Sequence, residues 1–167
     1  MNKVAPALFE AYPDAGSLAA ASPVDVEKLI FSSGFYRQKT KSIIQLSQDL
    51  VERHGGTVPD DMDELVKLRG VGRKTASVVL AEMWDIPAIA VDTHVNRVCR
   101  RLGLTTERDP VKIERDLMAL YPESTWSGIS MRFIQFGREI CDARRPVCWE
   151  CPLRDRCRYP DKTQPPP

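Results

Sequence analysis

The chain has 167 residues, 43% hydrophobic and 28% charged, enough for one compact domain with or without an appendage, which excludes disorder along its whole length. Twenty-four Lys and Arg stand against 23 Asp and Glu, a formal charge of +1, so any attraction to a polyanion must come from the arrangement of charges, and a histone-like binder is excluded. No apolar run approaches the roughly 18 residues of a membrane span, and no export signal is recognisable, so the expected location is cytoplasmic.

The hydrophobic period is helical and no stretch alternates as a half-buried strand does, so the expected fold class is all-α. Val4, Leu8 and Phe9 predict a first helix, ended by Tyr12-Pro13. Ser22-Pro23 has the form of an N-cap followed by a first-turn proline and predicts a second helix through Ile30, broken by Gly34. From Tyr36 to His54, Ile43, Ile44, Leu46, Leu50 and Val51 share one face of a third helix that Gly55-Gly56 ends. A short helix from Asp60 to Leu68 follows. Beyond Gly72 come an Ala/Val/Leu-rich helix from Arg73 to Trp84, a break at Pro87, a helix opened by Asp92, another from Pro110 to Leu120, and a last one from Thr125 to Ile140. His54 and His94 read as structural, and the proline-rich tail as disordered.

The segment Leu68-Arg-Gly-Val-Gly-Arg-Lys74 sets two glycines between helices. Such a turn reverses the chain in a few residues and leaves backbone N–H groups at a helix start to hold a phosphate oxygen; an ordinary helical hairpin is the other reading. Arg73 and Lys74 then fall in the first turn of the next helix, where the macrodipole disfavours cations. They make sense if an anion docks there, or if an amine with an available lone pair is wanted. Eighteen residues after Lys74, Asp92 opens its helix, as an N-cap or as a carboxylate facing a cleft, readings that are compatible.

Of five cysteines, Cys99 stands alone and reads as a small core residue. Cys141, Cys148, Cys151 and Cys157 are bunched, which in a chain without an export signal points to bound metal in a reducing compartment. Only Cys148-Trp-Glu-Cys151 has the two-residue knuckle spacing of a zinc ribbon, so the pattern leans from zinc toward a [4Fe-4S] cluster. Arg144, Arg145, Arg154, Arg156 and Arg158 surround these cysteines, to balance a negatively charged cluster or to reach phosphates.

Leu68 to Ala76, Val91-Asp-Thr-His-Val95 with Arg97-Val98, and Cys141-x6-Cys148-x2-Cys151-x5-Cys157 together resemble the endonuclease III branch of the helix-hairpin-helix DNA glycosylases, from Asn2-Lys3-Val4 to Tyr159. The resemblance implies a helix-hairpin-helix glycosylase fold: a helical barrel over residues 1–122 with its motif at about 60–85, a C-terminal helix and cluster loop over 123–159, and a tail at 160–167. It implies a base excision repair N-glycosylase with abasic-site lyase activity, with Lys74 as nucleophile and Asp92 as its catalytic aid, removing damaged, oxidised pyrimidines. Gly70, Val71, Gly72 and Arg73 would grip DNA. Ser33-Gly-Phe-Tyr-Arg-Gln-Lys39 resembles the turn that supplies a wedge to the base stack, making Phe35 the wedge with Lys39 beside it, unless Phe35 packs in the core. The implied partner is double-stranded DNA carrying damaged bases or abasic sites, met by a monomer, nucleoid-associated in a bacterium. Two rivals are a non-catalytic helix-hairpin-helix DNA-binding iron-sulfur protein and a zinc-stabilised interaction protein. Relatives on this branch carry a further N-terminal helical region whose glutamine fills the gap left by a flipped base. The expectation is that the true start lies upstream of Met1, the alternative being a shortened member, since a monomer seldom leaves apolar surface bare.

Overall fold

The computed structural model describes residues 3–166; Met1, Asn2 and the final proline of the tail lie outside the described residues. Among those described there are nine α-helices and no strand, in keeping with the helical period. Contacts divide the chain into two compact units, Met1–Gly72 and Arg73–Pro167.

The first unit holds α1 (Ala5–Ala11), α2 (Ala15–Ala19), α3 (Pro23–Ile30), α4 (Tyr36–His54) and α5 (Met62–Leu65). Helix α2 is an element that periodicity does not announce. It is made by its cap: Asp14 accepts from the Ser17 amide at 2.7 Å, while its own amide donates to Ser17 Oγ at 3.3 Å. Leu8, Leu18, Val26, Ile30 and Ile44 bury their side chains together as the core of this unit. An apolar cavity of about 540 Å3 opens beside it, with Leu8, Leu18, Ile43, Leu46 and Leu50 in its wall. Helix α5, capped by Asp61 onto the Glu64 amide at 2.9 Å, is one turn long instead of reaching Leu68. Beyond it Lys67 and Leu68 donate to Glu64 O and Leu65 O, bonds of the tighter three-residue type that wind down a helix.

The second unit holds α6 (Arg73–Trp84), α7 (Thr93–Leu102), α8 (Pro110–Leu120) and α9 (Trp126–Glu139), followed by the cysteine loop. Its core joins Ile89, Val91, Val95, Cys99, Leu117 and Ile129. Cys99 is fully buried there, and burial alone pushes its thiol up to about 12, which makes it inert. Between α6 and α7, residues 88–91 run buried without helical bonds. Their apolar side chains hold them in the interior, and the Ala90 amide is satisfied by Ser130 Oγ on α9 at 2.9 Å. This segment delivers the chain to Asp92. Helices α7 and α9 approach closely at Gly137, where a Cβ would lie 3.1 Å from Arg97 Nη2 and from His94 Nδ1.

Candidate active site

In the first unit, Gly70 adopts φ +83°, the left-handed turn conformation that favours glycine, and a Cβ there would meet Ser42 Cβ of α4 at 3.4 Å. The Val71 amide donates to Leu68 O at 3.1 Å and closes the turn on itself. What fixes the turn is Asp49 of α4, only 2% exposed. Its carboxylate accepts from the Arg69 amide at 2.8 Å and from the same residue's Nε at 2.9 Å and Nη2 at 2.7 Å. The hydrogen-bonded guanidinium, with the amide behind it, holds the Asp49 carboxyl down from 3.8 to about 2. No motif announced this carboxylate.

At the start of α6, Arg73 has a use within the second unit that the sequence did not disclose. Its Nε and Nη2 donate to Glu114 Oε2 and Oε1 of α8 at 2.6 and 3.1 Å, and Glu114 is buried. A cation in the first turn is thereby matched by a buried acid, and its guanidinium is committed to protein. Lys74, one residue on, is exposed and makes no hydrogen bond or ion pair among the described residues.

Asp92 is the N-cap of α7, as its position suggested: Oδ1 accepts from the amides of His94 and Val95 at 2.8 and 2.9 Å. Oδ2 makes no hydrogen bond among the described residues, so a half-buried carboxylate oxygen stays available. Lys74 and Asp92 belong to the same unit but form no ion pair with each other; each keeps its reactive atom uncommitted. His94 accepts at Nδ1 from Arg97 Nη2 at 3.1 Å, and Arg97 also donates to Gly137 O and Cys141 O at 2.9 and 3.0 Å. The cap of α7 is in this way tied to the first cysteine.

Phe35 stands at φ +58° and 89% exposed immediately before α4. Packing in the core, one of its two readings, is not what it does, and a left-handed aromatic residue on the surface is a strained one. Lys39 is exposed one turn away, its amide bonded to Phe35 O at 3.0 Å.

Cys141 follows α9, Cys148 and Cys151 bracket a short 3-10 turn, and Cys157 ends another. All four thiols are unpaired, half-buried, and line a single pocket. Burial, then the charge of the other three sulfurs, pushes the Cys151 thiol up. No three His, Cys, Asp or Glu side chains among the described residues gather closely enough to hold a single metal ion. Four free thiols in one otherwise mostly apolar pocket are a donor set of the kind an iron-sulfur cluster takes. The tail, expected to be disordered, lies against this loop, with Thr163 Oγ1 donating to Pro146 O and accepting from the Cys148 amide.

Comparison with known proteins places these features. Residues 1–123 match the model of HhH-GPD superfamily base excision DNA repair proteins, and residues 141–157 the iron-sulfur binding domain of endonuclease III. The endonuclease III of Synechocystis sp. is 50% identical over 94% of this chain and 72% of its own length, and that of Thermotoga maritima 46% identical over 95% and 74%. Among solved structures, a trapped endonuclease III–DNA covalent intermediate superposes with a TM-score of 0.87 at 44% identity, covering 94% of this chain and 74% of that one. A thermostable thymine-DNA glycosylase, at 0.84 and 22% identity over the same shares, has the same fold. The cofactor is a [4Fe-4S] cluster, and the matched iron-sulfur binding domain, residues 141–157, contains all four of the bunched cysteines. The chain belongs to the HhH-GPD superfamily of base excision DNA repair proteins, on its endonuclease III branch.

Proposed function

We propose that this chain is a bifunctional DNA glycosylase and abasic-site lyase that acts as a monomer on double-stranded DNA, removing oxidised pyrimidines and cleaving the strand by β-elimination. It works in the cytoplasm, at the nucleoid in a bacterium. The observation that carries this reading is the uncommitted amine of Lys74 in the first turn of α6, where a helix gains nothing from a cation, in one unit with an acid whose Oδ2 is open. A related endonuclease III has been trapped as a covalent intermediate with DNA, the state such an amine produces.

Neutral Lys74 Nζ attacks C1′ of the damaged nucleotide as the C1′–N bond breaks and the base leaves with the electron pair. Ring opening gives a Schiff base between Nζ and C1′. Loss of a C2′ proton then breaks the C3′–O bond and expels the 3′ phosphate, and water releases the lysine. Asp92 Oδ2 stabilises the positive charge developing on the sugar or receives the lysine proton, while Oδ1 stays anchored to the helix start. Gly70, Val71 and Gly72 grip a phosphate without reading sequence. Phe35, exposed in its strained turn, fills the stack when a nucleotide is flipped, with Lys39 on the backbone beside it. When bound, the cluster organises the cysteine loop and its arginines for DNA.

The test is nicking of a duplex with one abasic site, measured alongside affinity. Lys74→Gln abolishes nicking and leaves affinity within about threefold, since one exposed charge is worth little. A variant that still nicks, or that loses affinity by orders of magnitude, assigns Lys74 to phosphate binding instead.

A further inference from the structure

Arg101, in the last turn of α7, is the one charged side chain among the described residues that line the cysteine pocket; the rest of that wall is apolar, with Leu102, Phe136, Ile140 and Pro146. Its Nη1 lies 3.4 Å from Cys141 Sγ and donates to Asp142 O at 2.7 Å, and its Nη2 donates to Ala143 O at 3.0 Å. The face of the guanidinium rests 4.3 Å from the centroid of the Tyr159 ring, just past Cys157. The backbone takes part as well: Arg101 O accepts from the Cys157 thiol at 3.3 Å. One residue of α7 therefore reaches both ends of the cysteine loop, from a helix whose cap is Asp92; the Cys157 S–H bond is given up when that sulfur binds as thiolate, and the stack on Tyr159 is what holds the far end.

We propose that Arg101 is a positioning residue for the iron-sulfur cluster, which clamps both ends of the cysteine loop onto α7 and, by donating to the Cys141 sulfur, holds the cluster at a higher reduction potential than its thiolates alone would set. An N–H donor and a positive charge beside a ligand sulfur favour the more negative, reduced form, and an apolar wall leaves that effect poorly screened. The two carbonyls and the ring fix the plane of the fork, so the donor aimed at sulfur is held in place. Lysine keeps the charge but cannot span sulfur and two carbonyls from one nitrogen while stacking on Tyr159. The inference rests on the cluster assignment and is independent of the role given to Lys74.

The experiment compares the whole protein, cluster-loaded, with Arg101→Gln and Arg101→Lys. The readouts are the midpoint potential of the cluster and the rate at which its visible absorbance is lost to an iron chelator in air. Arg101→Gln is expected to shift the one-electron equilibrium about tenfold toward the oxidised form, 59 mV to the negative, and to lose its cluster about tenfold faster, the usual cost of removing a ligand's outer partner. Arg101→Lys recovers most of the potential and little of the retention. An unchanged potential in Arg101→Gln overturns the proposal, whatever the rate of loss. Should Arg101→Gln fail to take up a cluster, Arg101→Lys decides: faster loss supports the clamp, and retention equal to wild type overturns it.

Discussion

Replacing Asp49 by Asn tests whether the glycine turn is held from α4. The carboxylate is buried, accepts the Arg69 amide and guanidinium, and titrates at about 2 instead of 3.8. That depression corresponds to about 2 kcal/mol of stability at neutral pH. Asparagine keeps the shape and one acceptor but turns an amide toward the guanidinium. Because the folded-state value is the lower one, the contribution is complete above the unfolded value and disappears as pH falls from about 4 through about 2. Urea denaturation followed by circular dichroism is the assay. With a slope of about 2 kcal/mol/M, Asp49→Asn should lower the midpoint by about 1 M, with the gap constant from pH 7 to pH 5 and narrowing only below about 4. Coincident midpoints at pH 7 would refute the reasoning. So would a gap that closes between pH 7 and 5, because it would assign the effect to another group.

Gly70→Ala meets Ser42 at an ordinary contact distance, so its cost is conformational, about 1–2 kcal/mol for an L-residue in the left-handed region; urea melts should show that loss together with weaker binding to undamaged duplex. Ser130→Ala strips the buried Ala90 amide of its acceptor, which costs about 1–3 kcal/mol. Calorimetry should find a melting temperature lower by about 2–4 °C for each kcal/mol, and an unchanged melting temperature would mean that the segment leading to Asp92 is held by packing alone.

The all-α class and most helix ends were legible because local chemistry writes them. Ser22-Pro23 starts α3, Gly55 ends α4 in the left-handed conformation, and Asp92 caps α7 with its side chain. Helix α2 was missed because five residues are too few for a period to register, although Asp14 and Ser17 carried its signal. The groups that set the site in place were not legible at all. Arg69 finds Asp49 across 20 residues, Arg73 finds Glu114 across 41, and the Ala90 amide finds Ser130 across 40; such pairings exist only after the helices are stacked. Arg73 shows the consequence. Read locally, a cation at a helix start asks for an anion, and the anion proved to be a buried glutamate of the same chain. Lys74, with no such partner among the described residues, is where the local argument still points outward.

The most direct test of that amine is to incubate the protein with a duplex carrying one abasic site in the presence of borohydride, digest the product, and locate the attached sugar by mass spectrometry. Reduction fixes the Schiff base wherever it forms. The expected result is a single adduct on the peptide containing Lys74, absent from Lys74→Ala. An adduct on another lysine or on the N-terminal amine, or no adduct from wild-type protein that binds the duplex, would contradict the account and leave a DNA-binding iron-sulfur protein in its place.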